Sequence, residues 1–107
     1  MSSLSQQIAQ NLLSVGAVKV RINPPFQWVS GILSPVYCDN RMMISFVQER
    51  QEIVDAFCSV LKEKGYDQNV TIAGTATAAI PWAAFIAQVL GLPMCYIRPE
   101  PKVHGAG

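Results

Sequence analysis

Histidine, paired cysteines and long apolar runs are scarce in this chain, and each shortage excludes a class of protein. His104 is the single histidine among 107 residues, so a histidine-rich metal site is excluded. The 3 cysteines form neither a zinc pattern nor a CxxC motif, which favours reduced thiols and a cytoplasmic location. No apolar run is long enough to span a membrane, and the N-terminus lacks the charged region of a signal peptide.

Charge is also low and nearly balanced. The chain has 8 Lys and Arg residues against 7 Asp and Glu residues, which gives a net charge of +1. No basic groove or stripe is visible, so we expect neither nucleic acid nor an anionic membrane among the partners. Hydrophobic residues make up 50% of the chain, which is typical of a folded domain, and the length predicts a single domain over 1–107.

The first part of the chain, 1–45, combines one helical pattern with short strand patterns. Ser3 and Gln6 form a candidate capping box at the start of an amphipathic helix. The alternation over 18–22 predicts a strand, and the turn-rich stretch that follows predicts short strands joined by a tight turn at 30–31.

The next part, 46–98, alternates between helix and strand. A second amphipathic helix is predicted from Ser45, which forms a candidate capping box with Gln48, to Lys64. Its predicted apolar face consists of Ile53, Val54, Phe57, Val60 and Leu61. Short apolar runs at 70–74 and 94–97 predict two buried strands, and the apolar helix between them is expected to be covered on both sides. This order predicts a βαβ unit with a parallel sheet, hence an α/β fold.

The first candidate for chemistry is the turn Gly74-Thr75-Ala76-Thr77 between strand and helix. Small residues let backbone amides approach a ligand, and the N-terminus of a helix favours an anion. Such turns lie at the carboxyl ends of parallel strands, where open α/β sheets bind ligands. The turn matches neither GxGxxG nor the P-loop pattern, so a purely structural turn is an equal alternative.

The second candidate is the stretch IRPEPKVHGAG, which closes the chain. It leaves the last predicted strand at the same sheet edge as the turn, and it carries Arg98, Lys102 and His104. Arginine and lysine bind phosphate groups, and histidine can donate a proton near neutral pH. From these residues alone, a solvated charged tail is the alternative.

A third polar cluster consists of Asp39, Asn40 and Arg41, for which local pairing and a structural role are predicted. The aromatic residues just before it can line a flat pocket or cover a small core. No nucleophile elbow is present from which a Ser-His-Asp triad could be built.

Three stretches occur together in a specific order: FQWVSGILSPVYCDNR from Phe26, IAGTATAAIPWAAFIAQVLGLPMCYIR from Ile72 and KVHGAG from Lys102. They contain the patterns SGxxSPxYxDNR, GTATxxIP and RxxxKxHG. In this combination the chain resembles the N-terminal part of the orotate phosphoribosyltransferases found in many Gram-positive bacteria.

The resemblance implies a type I phosphoribosyltransferase fold, a parallel sheet flanked by helices with an N-terminal hood segment. It implies a pentosyltransferase of de novo pyrimidine (UMP) biosynthesis. The reaction transfers ribose 5-phosphate from phosphoribosyl diphosphate to orotate and yields orotidine 5'-monophosphate and diphosphate. Mg²⁺ is expected to bind with the diphosphate and not to protein side chains. A homodimer is expected, in which a mobile loop of one subunit closes over its neighbour's site.

The resemblance also assigns roles to individual residues. Lys102 and His104 are the expected catalytic residues, because charge develops on the leaving diphosphate in the transition state. Tyr37 and Cys38 are expected to border orotate. The residues expected to bind phosphoribosyl diphosphate are Arg98, Lys102, His104, Thr77 and Ala78.

The family's donor-binding loop, with two acidic residues and a TxG turn, does not occur before Gly107. We therefore expect an N-terminal fragment, inactive alone, that is truncated before this loop. Its expected parts are a helix with hood strands (1–45), a helix with a βαβ core (46–98) and an incomplete mobile loop (99–107). Two alternatives stay open, a non-catalytic nucleotide-sensing regulator of the same fold and the transferase half of a bifunctional UMP synthase.

Overall fold

The computed structural model describes residues 3–101, 103 and 105, and the chain forms two compact units, Met1–Ile53 and Val54–Gly107. The predicted single domain stays a prediction. In chain order the elements are α1 (Leu4–Ser14), β1 (Val18–Val20), β2 (Phe26–Gln27), β3 (Leu33–Ser34), β4 (Val36–Cys38), a 3-10 helix (Asn40–Ser45), α2 (Val47–Glu63), β5 (Ile72–Thr75), α3 (Ile80–Leu90) and β6 (Met94–Ile97).

The start of α1 shows the capping box that its sequence predicts. The amide of Gln6 donates to the Ser3 hydroxyl over 3.2 Å, and the Ser3 amide donates to the Gln6 side chain over 3.0 Å. These two bonds satisfy donors that a helix N-terminus otherwise leaves without partners. Farther along α1, the Asn11 side-chain amide donates over 2.6 Å to Glu52, in the part of α2 that belongs to the first unit.

Two small antiparallel ladders complete the first unit. β1 pairs with β4, and β2 pairs with β3 across a turn in which the Gly31 amide donates to the Trp28 carbonyl over 2.8 Å. The predicted short strands and tight turn are therefore confirmed. β1 ends at Val20 and not at the predicted Ile22, because the next ladder position lies opposite Pro35, which has no amide to donate.

The second unit contains the predicted βαβ arrangement. β5 and β6 are parallel, with Ile72 opposite Met94 and Thr75 opposite Ile97, and α3 is the connection between them. Pro81 occupies the first turn of α3, where its missing amide costs no helical hydrogen bond.

The core of the second unit lies between its helices and β5. Val54, Cys58 and Ile86 are buried there, and partly buried hydrophobic side chains pack against them. The buried stripe of α2 follows the helical spacing of Val54, Cys58 and Leu61, whereas Phe57 and Val60 of the predicted apolar face are exposed.

The expectation that both strands are buried and that α3 is covered on both sides is wrong for the described structure. Tyr96 and Ile97 are each 55% exposed, and Val89 is 51% exposed. The physical reason is that β5 and β6 form a sheet of two strands, so α3 meets only one sheet face and the strands have few neighbours. None of the helices in the described part of the chain is long and apolar enough to cross a bilayer.

Candidate functional site

The turn after β5 and the segment after β6 lie side by side at one edge of the sheet. The backbone amide of Ala76 donates to the carbonyl of Ile97 over 2.8 Å, one step beyond the last ladder pair. Arg98 is the next residue in the chain after Ile97. The structure therefore brings two of the sequence-predicted segments together at the carboxyl ends of parallel strands, where ligands bind in open α/β sheets.

Close backbone packing shapes this turn. A Cβ atom at Gly74 would lie 2.6 Å from the Ala79 carbonyl oxygen and 2.9 Å from the Ala83 Cβ, so only glycine fits. The turn folds back through a hydrogen bond of 3.1 Å from the Ala79 amide to the Thr75 carbonyl, and its Ala76–Thr77 peptide bond is cis. Gly74 thus lets β5 and the start of α3 approach closely, which sets where the helix N-terminus points.

The two turn residues predicted to bind phosphoribosyl diphosphate, Thr77 and Ala78, are both exposed. Their backbone amides donate no hydrogen bond to the described part of the chain, and no side chain caps α3 at its Ala79 N-cap. Backbone amides that lack an internal acceptor just before a helix can bind an anionic oxygen, which the dipole of the helix N-terminus also favours.

Arg98 is exposed at this same sheet edge. Its positive charge is therefore available to an anion that binds there. Lys102 and His104, the two predicted catalytic residues, lie outside the described residues. Their assignment stays a prediction.

Tyr37 and Cys38, predicted to border orotate, are consecutive residues of β4 in the first unit. Because side chains alternate along a strand, the two face opposite sides of the β1–β4 ladder. The Cys38 thiol makes a hydrogen bond of 3.1 Å to the Asn40 side-chain oxygen. A ligand lying against one side of the ladder therefore meets Tyr37 or Cys38, but not both.

The ring of Tyr37 contacts a neighbour that the sequence pattern did not specify. The Tyr37 ring lies 5.7 Å from the ring of Phe26, and the guanidinium carbon of Arg21 lies 4.2 Å from the Phe26 ring centre. The alternation of VKVRI places Lys19 and Arg21 on one face, but it carries no signal for the approach of Arg21 to Phe26.

Asp39 and Arg41 form the local pair that their spacing predicts. Arg41 Nε lies 3.0 Å from a carboxylate oxygen of Asp39, and the same oxygen accepts from the Arg41 backbone amide at the start of the 3-10 helix. The hydrogen bond from the Arg41 side chain lowers the pKa of the Asp39 carboxyl. The pair stabilises the turn after β4, as a structural role requires.

The potential metal ligands are dispersed. Among the residues that the structure describes, no three His, Cys, Asp or Glu side chains are grouped closely enough to hold a metal ion. All three cysteines are free thiols, and burial raises the pKa of the Cys58 thiol.

Comparison with known proteins finds relatives of this chain. The chain is 51% identical over 104 residues to the orotate phosphoribosyltransferase of Bacillus subtilis. The chain is homologous to orotate phosphoribosyltransferases. The alignment covers 97% of this chain and 48% of the Bacillus subtilis enzyme. The chain therefore spans about half the length of the curated relatives it matches. No family model matches the chain.

Solved structures confirm the fold of this orotate phosphoribosyltransferase homologue. The chain superposes on the orotate phosphoribosyltransferase from Aeropyrum pernix with a TM-score of 0.71 and 35% identity. The match covers 92% of this chain and 54% of the Aeropyrum pernix chain. The Leishmania donovani UMP synthase matches with a TM-score of 0.70 and 25% identity. The match covers 94% of this chain and 21% of the UMP synthase chain. The predicted resemblance and the predicted type I phosphoribosyltransferase fold are confirmed over the matched region.

Proposed function

We propose that this chain is part of an orotate phosphoribosyltransferase, an enzyme that transfers ribose 5-phosphate from phosphoribosyl diphosphate to orotate. The products are orotidine 5'-monophosphate and diphosphate, in the biosynthesis of UMP. The bond between ribose C1 and the diphosphate oxygen breaks, a bond from C1 to the orotate ring nitrogen forms, and the proton that this nitrogen loses passes to water. The leaving diphosphate gains negative charge, so groups that bind it most strongly in the transition state accelerate the step.

The observation that carries the proposal is the hydrogen bond from the Ala76 amide to the Ile97 carbonyl. It places the free amides of Thr77 and Ala78 at the same sheet edge as Arg98. Amide donors and a guanidinium group are complementary to the oxygens of a diphosphate. We assign these residues to the donor substrate.

The segment after Arg98 has a proposed catalytic role. Lys102 would stabilise the leaving diphosphate as a compact charge, and His104 would donate a hydrogen bond or a proton to it. In the proposed homodimer this segment of one subunit closes over the site of the other and excludes water. These roles rest on the match of Arg98, Lys102 and His104 to the family pattern RxxxKxHG.

The proposal has three further parts. Tyr37 or Cys38 would border orotate, whose own negative charge makes a strong catalytic base unnecessary. Mg²⁺ would enter with the donor substrate, because it favours phosphate oxygens and water as ligands, and no step requires a metal held by protein side chains. The enzyme would act in the cytoplasm, as the three free thiols indicate.

Calorimetric titration with phosphoribosyl diphosphate in the presence of Mg²⁺ tests the donor site. We expect the chain to bind, and we expect Arg98→Gln to bind about tenfold more weakly, since hydrogen bonds to charged groups are strong. Lys64→Gln is the matched control, because it removes the same charge from an exposed residue next to α2. Equal weakening in both variants would contradict the assignment of Arg98 to the donor substrate.

Turnover is a separate measurement. Since the chain spans about half the length of its relatives, we propose that activity belongs to a longer protein and that these 107 residues alone form no orotidine 5'-monophosphate. Incubation with both substrates and Mg²⁺ tests this, and robust product formation would contradict it.

A bifunctional protein is the second candidate. The match to Leishmania donovani UMP synthase, of which the chain covers 21%, is the observation that favours it. Sequencing of the gene on both sides of the region that encodes this chain distinguishes the two candidates, because a bifunctional UMP synthase carries a second catalytic half in the same polypeptide.

A further inference from the structure

One face of the β1–β4 ladder carries two cations beside a tyrosine ring. Lys19 lies directly opposite Tyr37 in the antiparallel register, and the Arg21 amide donates to the Pro35 carbonyl over 2.7 Å. Because directly opposed residues share a face and every second residue returns to it, Lys19, Arg21 and Tyr37 lie on the same side.

Arg21 is held in place by two contacts. Its Nε atom donates to the Pro24 carbonyl over 2.8 Å, and its guanidinium carbon lies 4.2 Å from the centre of the Phe26 ring. A cation at this distance is attracted by the negative face of an aromatic ring. Together the two contacts restrict the rotamers of a long side chain that would otherwise be free at the surface.

Phe26 extends this row of contacts to Tyr37. The two ring centres are 5.7 Å apart and the ring planes are inclined by 39°, a separation typical of attractive aromatic pairs. Tyr37 is nevertheless 41% exposed, so Phe26 contacts part of the tyrosine ring and leaves the rest accessible.

We propose that Arg21 and Phe26 are positioning residues that hold the ring of Tyr37 ready to stack on a planar anionic heterocycle of the orotate class. The inference rests on the proposed function and extends it to two residues that do not themselves touch substrate. A ring already restrained before binding loses less conformational entropy when a ligand stacks on it. The positive charges of Lys19 and Arg21 on the same face favour an anionic ligand over a neutral one of the same shape.

The choice between Tyr37 and Cys38 follows from this arrangement. Cys38 faces the opposite side of the ladder, together with Val18 and Val20, where no cation of the ladder accompanies it. A carboxylated heterocycle is therefore better matched by the Tyr37 face.

Orotate titration of the chain by NMR, with four variants, tests the inference. Phe26→Leu removes the aromatic contact with little change in volume, and Arg21→Gln removes the cation. We expect each to weaken orotate binding about threefold to tenfold, because aromatic pairs and cation–π contacts are individually modest. Arg21→Lys keeps a cation above Phe26 and should restore binding to within about twofold of the unmodified chain. Val20→Thr is the control. Val20 lies between Lys19 and Arg21 in the chain but faces the opposite side of the ladder, so this substitution should leave orotate binding unchanged.

A second readout separates positioning from mere stability. Without ligand, relaxation of the Tyr37 ring signals should report a more mobile ring in Phe26→Leu and Arg21→Gln, while far-UV circular dichroism stays unchanged. A variant that only loosened the fold would change both measurements.

The outcomes distinguish this inference from the proposed function. If the unmodified chain binds orotate and Phe26→Leu and Arg21→Gln bind it equally well, the inference is wrong and the proposed function stands. If the unmodified chain binds no orotate, the proposed orotate site fails and the inference fails with it. If Arg21→Lys is as weak as Arg21→Gln, the cation above Phe26 is not the cause.

Discussion

The amide of Ala76 and the carbonyl of Ile97 are joined by a hydrogen bond of 2.8 Å, which links the first residue after β5 to the last residue of β6. The bond holds the start of the βα turn against the residue that precedes Arg98. Two segments more than twenty residues apart in the chain are thereby fixed next to each other, and the candidate donor site depends on this contact.

The first prediction concerns Gly74, on which the position of the turn depends. Gly74→Ala should lower the free energy of unfolding by about 1–3 kcal/mol, because the new methyl group meets the Ala79 carbonyl oxygen and the Ala83 side chain. Urea denaturation followed by circular dichroism measures the change. Ala73→Ser, at an exposed neighbouring position, is the control and should differ little. A Gly74→Ala chain as stable as the original would show that the close approach is not maintained in solution.

The second prediction concerns the capping box of α1. Ser3→Ala should cost about 1 kcal/mol of stability, because the Gln6 amide loses its acceptor at the helix N-terminus. Thermal unfolding of the variant provides the measurement. Ser5→Ala lies inside the same helix and should have no destabilising effect, since alanine favours helix more than serine does. Equal losses in the two variants would argue against a specific cap.

The third prediction concerns the thiols. Cys38 and Cys95 are exposed, whereas Cys58 is buried and its pKa is raised by burial. At mildly alkaline pH a disulfide reagent such as DTNB should therefore react quickly with two thiols of the native chain and with the third only on unfolding. Three equally fast thiols would contradict the burial of Cys58. Cys58→Ala should leave the fast phase intact.

The fourth prediction is a pH dependence. The Arg41 side chain lowers the pKa of Asp39, so this carboxylate stabilises the fold above its unfolded pKa of about 3.9 and loses that effect as the pH falls through the lower folded pKa. Asp39→Asn keeps an oxygen for the Arg41 amide but removes the charge. The two chains should differ in stability at pH 7 and converge in strong acid. A difference that does not depend on pH would assign the effect to something other than this ion pair.

Local elements followed closely from the sequence. The capping box at Ser3, the βαβ order and the strand Met94–Ile97 were predicted correctly, because caps, proline positions and apolar periodicity depend on neighbours in the chain. The family was also identifiable, since three spaced patterns together are far more specific than any single one.

Exposure could not be derived in the same way. An apolar segment such as β6 reads as buried whether or not another layer packs on it, and Tyr96 and Ile97 prove to be half exposed. The buried face of α2 differs from the predicted one for a similar reason. Phe57 and Cys58 are neighbours and both apolar, and only tertiary packing determines that Cys58 is the buried one.

The sequence alone therefore specified the three α-helices and the βαβ order, because these follow from short-range pattern. Three-dimensional packing decided which residues meet. Strand register brings Ala76 to Ile97, and it places Arg21, Phe26 and Tyr37 in one row. Close backbone approach leaves space at position 74 for glycine only. Register and approach are set by pairing between distant segments, which no local pattern encodes.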